Sequence, residues 1–289
     1  MLNGRADTPS AWRAIASKPR LSRRLDSSRC FETIRAWIVD CQEYHDACSA
    51  TSRACLPRRT IDVGGRGLNS CVRLYESRGS EECEYLALSH CWGDVSTVPK
   101  LTKALYSQYV EQIPNHALSQ TFLGAIEVTR KLGFRYIWID ALCIVQDDTE
   151  DWSREAAQMS TTYNKAFLTI AAASSKNGQG GCFRERHTTD VALQSAPLAC
   201  SGLYVRTPIE HTLVDALHNI GMHEFDGPPG PREMPELPLV GRKWAFQERI
   251  LSRRVVFYTK DELWWECNSR FACECSGSAL FSTSGKSHF

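Results

Sequence analysis

The chain has no long hydrophobic run: nothing in its 289 residues approaches the roughly 18 uninterrupted apolar positions that a membrane helix requires. Its first segment, "MLNGRADTPSAWRAIASKPRLSRRLDSSRC", is basic and polar with no apolar h-region, so it does not read as a secretory signal. The acids in that segment, and its weak amphipathic pattern, also argue against a mitochondrial presequence. Net charge is nearly absent: Lys+Arg 34 against Asp+Glu 33 leave a formal +1, too little for a global field that draws nucleic acid or an anionic membrane. No Gly-rich dinucleotide fingerprint follows a strand. The "GKS" at 285–287 is no phosphate loop, because Leu280 stands where that pattern needs a glycine. These absences predict a cytoplasmic protein with no membrane span and no nucleic-acid partner.

Hydrophobic residues make up 43% of the chain, ample for a core and against a disordered or fibrous protein. Thirteen cysteines without a secretory signal read as reduced thiols, most of them acting as small buried hydrophobes. Residues 1–29 are expected to be a flexible leader. Residues 30–50 predict a helix with Phe31, Ile34, Ile38 and Cys41 on one face, and 56–75 a hairpin around a Gly-rich turn.

From Tyr85 strand and helix alternate. "EYLALSHCW" (84–92) is a strand, Ser119 caps a helix that Gly133 ends, and "RYIWID" (135–140) is the next strand. "DDTEDW" opens a helix through about Lys165, with Trp152, Ala156, Met159 and Tyr163 as its expected buried face, before the strand "AFLTIAAAS" (166–174). This order implies an α/β fold, a parallel sheet with flanking helices. Residues 176–240 read as an irregular insertion, 241–267 as a helix, a strand and a hairpin partner, and 268–289 as a flexible tail.

Several residues are candidates for chemistry. Asp140 at the end of a buried strand needs a partner or a role. Ser89 and His90 are adjacent on a strand and so face opposite ways, which disfavours a local triad but leaves "HCWGD" at a cleft rim, where open α/β sheets bind ligands. Glu155 and Glu248 lie beside apolar helical stripes, either as neutralised structural acids or as functional ones. Cys41, His45 and Cys48 share helical spacing that could hold zinc with Cys55 as fourth ligand; the same spacing also describes an ordinary buried stripe, and no cofactor is required.

Three blocks, "YLALSHCWGD" (85–94), "GFRYIWIDALCIVQDDTEDWSREAAQMSTTYNKAFLTIAAAS" (133–174) and "RKWAFQERILSRRVVFY" (242–258), resemble in order and spacing those of the fungal heterokaryon incompatibility (HET) domain. The resemblance spans about residues 30–267. It implies a role in fungal nonself recognition leading to programmed cell death, and a TIR-like, Rossmann-like sheet. By analogy with TIR domains that cleave NAD at the nicotinamide glycosidic bond, it further suggests NAD as substrate. That reaction needs a carboxylate near an oxocarbenium-like ribose and an aromatic platform. Asp140, Glu155 and Glu248 are the candidate catalytic acids. The candidate ligand-binding residues are Ser89, His90, Trp92, Gly93 and Asp94 in the first block, Trp138, Cys143 and Gln146 in the second, and Arg242, Trp244 and Gln247 in the third. A homo-oligomer or a signalling partner is expected. The alternatives are a non-enzymatic assembly domain and a small-molecule enzyme using the Cys/His-containing strand end.

Overall fold

The computed structural model describes residues 21–49, 55–65, 71–186 and 236–275, with scattered positions between 191 and 217 and residues 279–281. Helix α1 (Ser28–Tyr44) begins where the Ser27 side chain accepts the Cys30 amide, and it buries Phe31, Ile34, Ile38 and Cys41 as the spacing predicts. The hairpin follows as β1 (Arg59–Asp62) and β2 (Arg73–Glu76), then β3 (Tyr85–Ser89) and the short α2 (Tyr106–Glu111). Helix α3 (Gln120–Leu132) is capped by Ser119 at the Phe122 amide and stopped by Gly133 at φ 91°, a left-handed conformation that a side chain would strain. Next come β4 (Tyr136–Trp138), the single turn α4 (Asp140–Cys143), α5 (Thr149–Lys165) and β5 (Leu168–Ala171). The remaining described elements are β6 (Val191–Ala192), β7 (Tyr204–Val205), α6 (Lys243–Leu251), β8 (Arg254–Tyr258), β9 (Leu263–Cys267), β10 (Phe271–Cys273) and β11 (Ala279–Phe281).

Nine strands form one sheet in the order β11-β10-β9-β8-β5-β3-β4-β1-β2. Its centre, β8-β5-β3-β4, is parallel, and antiparallel strands extend both sides. Every residue of β3, β4, β5 and β8 is buried, as parallel strands covered on both faces require. From β3 the chain crosses to β4 on one side, and from β5 to β8 on the other. The order therefore reverses between β3 and β5, a doubly wound arrangement whose ligand crevice lies outside the strand ends at that point. Helix α1 packs against α3, and α5 against α6.

The fold departs from the sequence expectations in four places. Leu21 and Leu25, within the expected leader, are buried; residues 1–20 lie outside the described residues. Part of the expected tail is structured, because β10 and β11 extend the sheet beyond β9. Strand β4 stops at Trp138, so Asp140 opens α4 instead of ending a strand. Helix α5 is turned about its axis: Asp151, Glu155, Thr162 and Tyr163 are buried, while Trp152 is 52% exposed. The cause is Arg59 of β1, whose buried guanidinium contacts Asp151 and lies 3.4 Å from Glu155. Leaving that cation unpaired would cost more than exposing one indole.

Candidate functional site at the strand ends

The carboxyl ends of β3 and β4, with α5 and α6 beside them, assemble a polar cluster. Ser89 and His90 point to opposite sides, as strand alternation demands. The Ser89 hydroxyl donates to Glu248 Oε2 of α6, whereas the His90 ring packs edge-on against Phe122 of α3, with centroids 5.1 Å apart. Tyr163 of α5 stands beside Glu248 and donates its hydroxyl to the Leu88 carbonyl at 3.0 Å. Glu248 is thus tied to β3 by the Ser89 hydroxyl.

Asp140 sits one strand over. Its Oδ2 accepts from Trp92 Nε1 at 2.8 Å and its Oδ1 from the Ala141 amide at 2.7 Å, so the partner this acid requires is an indole and a helix-start amide. His90 Nδ1 stands 3.7 Å from Asp140 Oδ1, beyond hydrogen-bond distance, and His90 Nε2 is buried with no hydrogen-bond partner among the described residues. Arg242, just before α6, donates to the His90 carbonyl.

Burial shifts the proton affinity of three groups in the cluster. Burial pushes the Glu248 carboxyl up to about 7; the Asp140 charge adds to the rise, while the Ser89 hydrogen bond, Arg242 and Tyr163 oppose it. Burial also pulls the His90 imidazole below its ordinary value, with Asp140 opposing, and lifts the Cys91 thiol. A buried carboxyl raised toward neutral pH is a group able to give or take a proton there. Ser89 also lines a small, mostly apolar crevice with Ala171, Ala245, Phe246 and Arg249.

The other residues singled out from sequence fall elsewhere. Glu155 turns to Arg59 and Arg58, and burial raises its carboxyl against those cations; this is the structural alternative of the two open for it. Trp138 is 1% exposed and packs on Tyr163 at 5.6 Å, so it offers no face to a ligand; Trp92 is half-buried, its ring stacked 6.4 Å from that of His90. Cys143 is a core thiol pushed up to about 12 by burial. Gln146 braces α4 by donating to the Asp140 and Ile144 carbonyls at 3.2 and 3.1 Å. Asp94 closes its own turn by accepting from the Ser96 amide and hydroxyl. Gly93 has φ 70°, and a Cβ there would lie 2.4 Å from Asn177 Cβ, so glycine serves backbone packing of the rim. Trp244 and Gln247 are exposed on α6.

Tyr163 was missed as a member of the cluster, although it stands at the end of an apolar stripe with a hydroxyl that burial obliges to find partners. The Cys/His set is altered as well. Cys55 is exposed and bridges to Glu82, and Cys267 takes the place beside Cys41, His45 and Cys48. Only Cys41 of the three lies within α1; His45 caps it and Cys48 ends a 3-10 turn. No helix among the described residues is long and apolar enough to cross a membrane.

A doubly wound α/β domain with an acid-bearing rim at its switch point is the class these features define. Residues 85–248 match the family described as Heterokaryon incompatibility protein (HET), and the chain belongs to that family. No curated protein and no solved structure matches it. Membership connects the chain with heterokaryon incompatibility; the boundaries of the match run from the first residue of β3 to Glu248 itself.

Proposed function

We propose that this domain is a cell-death effector of fungal nonself recognition that hydrolyses NAD at the nicotinamide glycosidic bond, with Glu248 and Asp140 as its working acids. The observation that carries the reading is Glu248: a buried carboxyl at the doubly wound crevice, held near neutrality and fixed by Ser89. In the reaction the bond from ribose C1′ to the pyridinium nitrogen breaks, and its electron pair neutralises the nicotinamide ring. Water attacks C1′, and its proton passes to the ionised Glu248 carboxylate. Asp140, held by Trp92 and the Ala141 amide, offers negative charge to the oxocarbenium-like ribose. Trp92 serves as a stacking platform.

The test is nicotinamide release from NAD, followed by chromatography across a protein concentration series, with Glu248→Gln and Asp140→Asn alongside. Release by the folded parent and its loss in both folded variants is expected. Folded protein without release at any concentration, or Glu248→Gln with parental release, overturns the reading.

A second reading, a non-enzymatic assembly domain, is favoured by one observation. Trp152 and Trp244 are 52% and 63% exposed on α5 and α6, helices that pack on one another. Exposed indoles of this kind mark interaction surfaces. Under this reading the domain signals through a homo-oligomer or a partner protein, and death activity follows the tryptophans and not the acids.

A further inference from the structure

Far along the sheet from the rim, where the end of α1 meets the end of β9, Cys41, His45, Cys48 and Cys267 each turn one ligand atom inward. The four atoms lie within 4.8 Å of one another. The three cysteines are fully buried and His45 is half-buried, with His45 Nδ1 3.3 Å from Cys267 Sγ. A tetrahedral zinc ion, with Zn–S about 2.3 Å and Zn–N about 2.0–2.1 Å, sets its ligand atoms roughly 3.5–3.8 Å apart. Small side-chain shifts close this cluster to that size.

We propose that these residues form a closed Cys₃His zinc site that staples α1 to the sheet. A second, independent observation is charge. Arg254 of β8 is 4% exposed and forms no ion pair with a carboxylate among the described residues. It donates Nε to Cys41 Sγ at 3.2 Å, and its two terminal nitrogens to the carbonyls of Phe167 and Cys48 at 3.3 and 3.0 Å. A buried guanidinium needs a counter-charge. Three neutral thiols supply none, whereas three thiolates on one Zn²⁺ leave a net charge of about −1 beside it. The zinc-loaded cluster and Arg254 neutralise each other.

The surroundings support the ligand sulfurs. The Ser269 hydroxyl lies 3.9 Å from Cys48 Sγ. Asn268 Nδ2 donates to the Ala47 carbonyl at 2.9 Å, locking the turn after β9 onto the turn after α1. Such outer contacts orient ligands and fix their ionised form. With all four positions filled by protein, no place remains for substrate, so the role is structural. Thiolate donors select zinc over magnesium or calcium. The fourth ligand lies 222 residues beyond His45, so the ion closes most of the chain into one loop.

The experiment is metal analysis by plasma mass spectrometry on the whole chain, purified under reducing conditions without metal-affinity steps, beside Cys48→Ser, Cys267→Ser, Cys55→Ser and Cys273→Ser. We expect one zinc that is lost in Cys48→Ser and Cys267→Ser and retained in Cys55→Ser and Cys273→Ser. Chelation should lower the Tm of the parent by several degrees, and zinc should restore it. Because the ligand variants can fail to fold, the parent is also reconstituted with Co²⁺, which should show thiolate charge-transfer and tetrahedral d–d bands. A folded, reduced parent that holds no zinc and gives no such bands overturns the proposal. So does zinc that survives Cys267→Ser but leaves with Cys273→Ser, which would assign the ion to the group of His211, Glu262, Cys273 and Cys275 at the other end of β9.

Discussion

Glu248→Gln should make the protein more stable. The substitution keeps the shape of the protonated acid and an oxygen to accept from Ser89, while removing the charge that burial opposes. In the unfolded chain the carboxyl titrates at its ordinary 4.5, and in the fold at about 7. Each tenfold change in proton affinity is worth about 1.4 kcal/mol, so holding Glu248 ionised in the fold costs about 3 kcal/mol once the pH exceeds both values. The sign follows from proton counting. Between 4.5 and about 7 the folded state binds more protons than the unfolded one, so this group favours folding fully below 4.5 and loses that contribution as the pH rises through about 7.

The assay is urea unfolding of parent and variant at matched ionic strength from about pH 4.5 to about pH 8.5. The variant should gain up to about 3 kcal/mol near the alkaline end, the upper bound because its amide N–H must also find an acceptor, and close to nothing near the acid end. Glu155, raised by burial, and Glu262, pushed by burial up to about 8, tilt both curves the same way. His90, lowered by burial, tilts them the opposite way. All three are shared, so they cancel in the difference. A difference that does not change with pH, or a variant less stable at the alkaline end, refutes the reasoning. If Glu248 accepts the water proton, turnover of the parent should rise about tenfold per pH unit below about 7 and then level. One charge would then cost stability and supply activity.

Gly93→Ala should destabilise by about 2 kcal/mol or more, read from thermal melts, because it combines a positive φ with a Cβ placed against Asn177; an unchanged Tm would mean that the rim loop repacks freely. Arg249 and Glu266 form a buried two-bond pair at 2.7 Å each. Arg249→Met should cost about 3–5 kcal/mol in urea unfolding, and adding Glu266→Met should recover most of it. Trp152→Ser with Trp244→Ser, both at exposed sites, should leave stability within about 0.5 kcal/mol and weaken self-association in sedimentation experiments. Undiminished association would exclude this face.

Elements that carry their own local signals form where those signals stand, and the departures come from distant partners. Ser119, the apolar stripe and Gly133 specify α3 within one stretch of chain, and they bound it in the structure. Helix α5 has equally good local signals, with Asp148 capping its start, yet its buried face turned toward Arg59, a cation on β1 that no period within the helix announces. The Cys/His set behaved likewise: local spacing brought together Cys41, His45 and Cys48, but the fourth member comes from β9 and not from nearby Cys55.

The rim shows the same division at the site itself. Strand alternation is enough to separate Ser89 from His90, but it is silent on what each will meet. Their partners follow from sheet order. Because the chain leaves β5 for β8 on the side away from β4, the segment entering β8 carries α6 past the end of β3 and lays Glu248 against Ser89. The turn after β4 then brings Asp140 to Trp92 from the other side. One acid follows β4 and the other precedes β8, strands that lie on opposite sides of β3. A reversal of strand order makes the crevice and also places two unequal carboxyls at it.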